Sequence, residues 1–220
     1  MKPWKVVETA KAPDGSMLTL AQRDAEWVVR VDNRVLMSSR SHTSEERLAM
    51  HALQGLKTVG SVVVGGLGLG FTLREVLNSV GPQTNVVVSE LVPAVVRWNR
   101  VHLGSLTDDA ITDPRVTAYE GSVLTLLQKN VGAFDAVILD VDNGPAPVAH
   151  HGNAKLYSPS GVATCFRSLK SRGRLTVWSA GPDLTYLQRL RDVGFEARMI
   201  NVAAREKNGV RHVIFLAEAP

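Results

Sequence analysis

The chain has 220 residues, 45% hydrophobic and 21% charged, with a formal net charge of +4; this is one large domain or a core with a small appendage, and the composition excludes disorder. A single cysteine, Cys165, excludes an intramolecular disulfide and a cysteine-rich zinc site, and fits a reducing, cytoplasmic setting. No apolar run reaches membrane-span length, the N-terminal stretch lacks a signal-peptide core, and scattered basic residues without interleaved aromatics argue against a nucleic-acid partner.

Up to residue 42 the text alternates, in SMLTLAQ, EWVVRV and DNRVLM, predicting a small antiparallel unit of about three strands. Asp32-Asn33 between two alternating runs reads as its hairpin turn. SHTSEERLAMHAL then opens a helix, with Thr43 and Glu46 spaced for a capping box and Leu48, Met50 and Leu53 for an apolar face. From residue 60 short apolar strands alternate with helices. SVVVGG precedes helix FTLREVLNSV, stopped by Gly81-Pro82, and NVVVSE precedes helix PAVVRWNRVHL. RVTAYEG leads to VLTLLQKN, FDAVILDVD runs into a Gly/Pro-rich loop, and SPSGVATCFRSLK, GRLTVWSA and DLTYLQRLRDVG follow as helix, strand and helix. EARMINVAA and RHVIFLAEA close the chain with no helix between them, so they must pair antiparallel. The fold class is therefore α/β: a doubly wound, mostly parallel seven-stranded sheet, Rossmann-like, with an antiparallel C-terminal hairpin and a small N-terminal antiparallel β-unit. The boundary divides residues 1–42 from residues 43–220.

In an open parallel sheet ligands bind beyond the carboxyl ends of the strands, where strand order reverses. Gly65, Gly66, Gly68 and Gly70, with Leu67 among them, end the first parallel strand. They permit a tight turn and let backbone amides approach a ligand. A dinucleotide fingerprint requires a third glycine where this chain has Phe71, so G-x-G-x-G reads as a nucleoside-binding variant. Glu90, followed by Leu91, ends the second strand and can accept both ribose hydroxyl protons. Gly121-Ser122 ends the third strand, and Asp140 ends the fourth.

These residues carry a resemblance. The sequence resembles the spermidine/spermine synthase (aminopropyltransferase) family, and its bacterial spermidine synthase-like members, which have the fold of class I S-adenosylmethionine-dependent methyltransferases. The shared features are the glycine loop followed by Leu73-Arg74-Glu75-Val76, Glu90, Asp113-Pro114-Arg115-Val116, and FDAVILD before the active-site loop. The resemblance implies a decarboxylated S-adenosylmethionine-type donor, or S-adenosylmethionine itself, as co-substrate, with no metal. It also implies a small-molecule amine acceptor and a homodimer. The chain departs from the family at Leu69, where the synthases hold an Asp, and at Gly121-Ser122, where they bind the adenine amino group with an acid. It also has Asn143 where their second loop Asp acts on the amine, and SEERLAMHAL lacks their Tyr-His-Glu.

Aminopropyl transfer needs an amine freed of its proton, so the site needs carboxylates to bind a cation and deprotonate it. Asp140 is expected to position donor or amine, Asp142, two residues on, to accept the proton, and Asn143 to orient the substrate without acting as a base. His150, Tyr157 and Trp178 are expected to line the acceptor pocket; Cys165 reads as core, and Gln22, Trp27 and Arg40 are left unplaced. Methyl transfer from S-adenosylmethionine to a small molecule, which needs no acid pair, and a silent nucleoside-binding module stay open as alternatives.

Overall fold

The computed structural model describes residues 2–141, 144–145, 154–203 and 211–220. Strands β1 (Lys5–Lys11), β2 (Met17–Arg23), β3 (Glu26–Val31) and β4 (Arg34–Ser38) form an antiparallel sheet in chain order. The unit thus has four strands rather than three. The sequence conceals β1 because KVVETAK barely alternates: Val6 points outward, 55% exposed, and the register shifts between Val6 and Glu8. Asp32 and Asn33 form the predicted turn with φ of 46° and 67°, the pair of positive angles that lets a two-residue hairpin match strand twist.

Helix α1 (Thr43–Leu53) follows, but without the capping box. His42 is the N-cap, with no side-chain cap bond. Glu46 turns away to ion-pair with Arg74 and to approach His42 Nδ1 at 3.0 Å. A carboxylate with a guanidinium in reach binds it in preference to a neutral amide. That pair ties α1 to α2 (Phe71–Ser79), and the His42 ring stacks on Phe71 at 4.3 Å beside it.

The main sheet comprises β5 (Ser61–Gly65), β6 (Asn85–Glu90), β7 (Val116–Glu120), β8 (Phe134–Leu139), β9 (Leu169–Ser179), β10 (Glu196–Ala203) and β11 (Arg211–Glu218). Their order is β10-β11-β9-β8-β5-β6-β7, with β5 to β9 parallel and β11 antiparallel to both its neighbours. The order reverses between β5 and β8, so their carboxyl ends frame the crevice. Helices α3 (Pro93–Trp98), α4 (Val123–Gln128), α5 (Ala154–Tyr157), α6 (Pro159–Ser168) and α7 (Leu184–Val193) complete the fold.

Strict alternation sorts the core into two layers. Val62, Val64, Val86, Val88, Ala136 and Ile138 face α1, α2 and α3, and this cluster continues into Leu20, Trp27 and Val29 of the small sheet. Val63, Val137, Leu139 and Val177 face α4, α6 and α7. Cys165 lies in that second layer, where burial pushes its thiol up to about 12 and leaves it unreactive. Arg115 pairs with Asp113 at 2.8 Å and donates to the Leu77 and Val80 carbonyls at the end of α2, so Asp113-Pro114-Arg115 is a helix-capping device.

The helix expected over Pro93 to Leu103 is regular only to Trp98. A π turn, Asn99–Leu103, and a short 3₁₀ turn, Gly104–Leu106, replace its second half. The widened turn aims Asn99, 2% exposed, at the glycine loop: its Nδ2 donates to the Gly68 and Val95 carbonyls, each at 2.9 Å.

Candidate functional site

The four central strand ends are stitched together beyond the sheet. Gly66 N–H donates to the Ser89 carbonyl, Asp140 N–H to Gly65, and Gly121 N–H to Glu90, each at 2.8 Å. Gly66 has φ of 88°, and a Cβ there would run into the Asp140 carbonyl. Gly70, the left-handed N-cap of α2 at φ of 92°, would place a Cβ 2.7 Å from Asn99 Oδ1. Both positions therefore require glycine for conformation and for space. Leu67 and Leu69 fold inward, 4% and 5% exposed, and Met37 of β4 lies against Gly68.

Glu90 lies across this turn. Its Oε2 accepts the Leu67 N–H and its Oε1 the Val92 N–H, each at 2.9 Å. The Gly68 and Leu91 amides bear on the same carboxylate, which is ringed by donors and, while ionised, acts only as an acceptor. Burial raises the affinity of Glu90 for a proton, and the surrounding backbone amides oppose it. Leu91 is 48% exposed beside it. Across the crevice the Tyr119 ring stands 2.9 Å from where a Gly121 Cβ would lie, and Ser122 precedes α4 without capping it. A cradle that excludes Cβ atoms, with a buried two-oxygen acceptor across it, fits a nucleoside with a vicinal diol.

Asp140 leaves the end of β8 on the α1/α2 side, and its Oδ2 accepts the Thr72 hydroxyl at 2.5 Å. Glu45, in the first turn of α1 and passed over in the sequence reading, lies within reach of its charge. Burial pushes Asp140 up to about 6, with the Thr72 bond opposing. Glu45 is pushed up to about 7, first by burial and then by the charge of Asp140. The two titrate as one system, so a charge on either makes the other harder to ionise.

Among the other expected residues, Tyr157 is 5% exposed; its hydroxyl donates to the Val141 carbonyl at 3.0 Å, and its ring meets Tyr186 edge-on. It thus holds the residue after Asp140 from inside the core. Trp178 ends β9 on the α1 side, edge-on to His212 at 4.6 Å, with its Nε1 buried and without a hydrogen-bond partner among the described residues. Gln22 and Trp27 belong to the small sheet, and Arg40 pairs with Glu26 at 3.0 Å, away from the crevice. Asp142, Asn143 and His150 lie outside the described residues. Among the described residues no group of three or more His, Cys, Asp or Glu could hold a metal ion, and no helix is long and apolar enough to cross a membrane.

Glu45, Thr72, Asn99 and Tyr119 are the site residues the sequence did not single out. Asn99 and Tyr119 gave no local signal, whereas the adjacent acids Glu45-Glu46 at a helix start offered one: only one of the two was needed for Arg74.

No family model matches the chain. Two curated polyamine aminopropyltransferases are similar to part of it. That of Thermoanaerobacter sp. (strain X514) is 35% identical over 92 residues, 41% of this chain and 32% of the relative. Polyamine aminopropyltransferase 2 of Pseudomonas aeruginosa is 36% identical over 89 residues, 39% of this chain and 25% of the relative. The matched segments thus span a third or less of these relatives' length. In fold the likeness extends over the chain. A spermidine synthase solved with the transition state analogue AdoDATO superposes with a TM-score of 0.81 over 98% of this chain and 74% of its own, at 21% identity. The spermidine synthase of Thermotoga maritima gives 0.78 over 98% and 73%, at 20% identity. Part of the sequence is thus similar to polyamine aminopropyltransferases, and the chain as a whole shares the fold of spermidine synthases.

Proposed function

We propose that this protein transfers an aminopropyl group from a decarboxylated S-adenosylmethionine-type donor to a small-molecule amine. The observation that carries the reading is a pair of half-buried carboxylates beside the Gly66 turn, Asp140 held by the Thr72 hydroxyl at 2.5 Å and Glu45 by the Ser44 hydroxyl at 2.6 Å, each sensing the other's charge. An amine substrate is a cation at neutral pH, and its nitrogen lone pair is free only after a proton leaves. A carboxylate pair poised between about pH 6 and 7 both attracts that cation and accepts its proton. A neutral acceptor would gain nothing from two carboxylates kept out of water.

The residues divide the work. Glu90 holds the ribose hydroxyls, and the Gly66–Gly70 turn presents backbone amides to the nucleoside. Asp140, fixed by Thr72, orients the amine, and Glu45 stands where the proton can go. Asp142, expected from the sequence to accept the proton, lies outside the described residues, and Glu45 takes that role in this reading. The donor supplies a sulfonium leaving group, so the protein's part is alignment and proton removal. We read the protein as cytoplasmic, and the resemblance alone carries the homodimer.

Calorimetric titration with decarboxylated S-adenosylmethionine, S-adenosylmethionine and methylthioadenosine tests the reading, coupled to an assay of diamine consumption. Tightest binding of the decarboxylated donor, with amine-dependent release of methylthioadenosine, is expected. Preference for the intact amino acid would replace it with methyl transfer, and nucleoside binding without amine consumption with a binding module.

A further inference from the structure

Ser44 is 1% exposed at the start of α1, and its hydroxyl joins two groups 167 positions apart. Its Oγ donates to Glu45 Oε2 at 2.6 Å, and His212 Nδ1 lies 3.2 Å from the same oxygen. A serine hydroxyl has one proton; with that proton on Glu45, the imidazole must donate through Nδ1. His212 begins β11, half-buried, its ring fixed by the edge contact with Trp178. A continuous hydrogen-bonded chain therefore runs from the carboxylate facing Asp140 to an imidazole with access to water, and each member can take up and release a proton. On the other side, among the described residues, the Asp140 carboxylate meets the Thr72 hydroxyl, itself 2% exposed.

We propose that Glu45, Ser44 and His212 form a proton relay, in which Glu45 takes the proton of the incoming ammonium and passes it through the Ser44 hydroxyl to His212. This rests on the aminopropyl-transfer reading. The ammonium gives one proton to the Glu45 carboxylate; the freed lone pair forms the new C–N bond as the C–S bond breaks, its electrons staying on sulfur as a neutral thioether. The product nitrogen keeps its positive charge, so one proton per turnover must leave. Once Glu45 is protonated the Ser44 hydroxyl turns to His212 in its Nε2–H tautomer: Glu45 donates to Ser44 Oγ, Ser44 donates to His212 Nδ1, and the imidazolium gives its Nε2 proton to water, leaving the Nδ1–H form that donates back to Ser44 until exchange with solvent restores Nε2–H. Glu45 is the catalytic member, and Ser44 and His212 are positioning residues that act through it. The groups bearing on Glu45 are Asp140 from β8 and Glu46 from α1, the latter held by Arg74 of α2 and by His42. From β9 and β11 come Trp178 and His212. Arg47 and Arg198 act on His51 near the far end of α1.

The test compares wild type, Ser44→Ala and His212→Ala for methylthioadenosine affinity, kcat across pH, and kcat with added imidazole. Each variant is expected to keep nucleoside affinity and lose at least about tenfold in kcat. Imidazole should restore the rate of His212→Ala but not that of Glu45→Gln. A kcat for His212→Ala equal to wild type, or a loss that imidazole leaves untouched with an unmoved pH profile, overturns the relay while aminopropyl transfer stands. Should His212→Ala not fold, Ser44→Ala decides: wild-type kcat and pH profile there overturn the relay equally. A wild-type protein that binds methylthioadenosine but consumes no amine overturns the parent reading, and the relay with it.

Discussion

Replacing Glu45 by Gln should stabilise the protein against unfolding, with the gain confined to neutral and alkaline solution. Glu45 titrates near 7 in the folded protein against an ordinary 4.5, so the folded state binds its proton more tightly than the unfolded chain does. The stabilising contribution of that proton is complete below about pH 4 and is lost as pH rises through 7; the wild type thus bears the full cost of ionising Glu45 at pH 8. The full shift is on the order of 3 kcal/mol, and because the Glu45 side chain is only partly enclosed we discount this to about 1–2 kcal/mol. Gln keeps an oxygen to accept the Ser44 hydroxyl and carries no charge at any pH. In urea denaturation followed by circular dichroism, the two midpoints should coincide near pH 4. They should separate by about 0.5–1 M at pH 8, the variant being the more resistant. A variant that is equally or less stable at pH 8, or a separation that does not change with pH, refutes the argument that Glu45 and Asp140 confront each other.

Gly66→Ala forces a Cβ into the Asp140 carbonyl at a φ of 88° and should cost at least about 2 kcal/mol, seen as a melting temperature lower by about 4–8 °C. Glu90→Gln should weaken methylthioadenosine about 10- to 100-fold by calorimetry, since one amide NH₂ must face a backbone N–H and one acceptor oxygen is lost. For the same reason wild-type affinity should decline on acidification, as the raised Glu90 carboxyl takes up its proton. Asn99→Ala should cost about 1–3 kcal/mol in urea denaturation and weaken the nucleoside in parallel, because the Gly68 carbonyl loses its donor.

The main sheet was legible because its strands are buried on both faces and its helices are punctuated by Gly and Pro. NVVVSE could be bounded to the residue, and the glycine turn with Glu90 announced the crevice by spacing alone. What stayed hidden depends on partners distant in sequence. β1 is an edge strand without alternation, identifiable only by its pairing with β2. The capping box was the right local pattern, overridden by Arg74 on the next helix. Glu45 drew no notice because a helix start favours acids for electrostatic reasons unrelated to chemistry. Only the approach of α1 to the end of β8 gives it a second carboxylate to face. The contact of Trp178 with His212 was hidden because it depends on β11 returning beside β9.

The π turn of residues 99–103 carries two anchors on one wide coil. Asn99 at its head braces the Gly68 carbonyl, and His102 near its foot reaches Glu8 on β1 at 3.3 Å. Deleting one residue between them would restore an ordinary α-turn and rotate His102 by roughly 100° relative to Asn99, so that the coil could keep only one of its two anchors. A chimera that grafts a foreign first 42 residues onto this core removes Glu8, so the coil that braces the glycine loop is left with one of its two anchors.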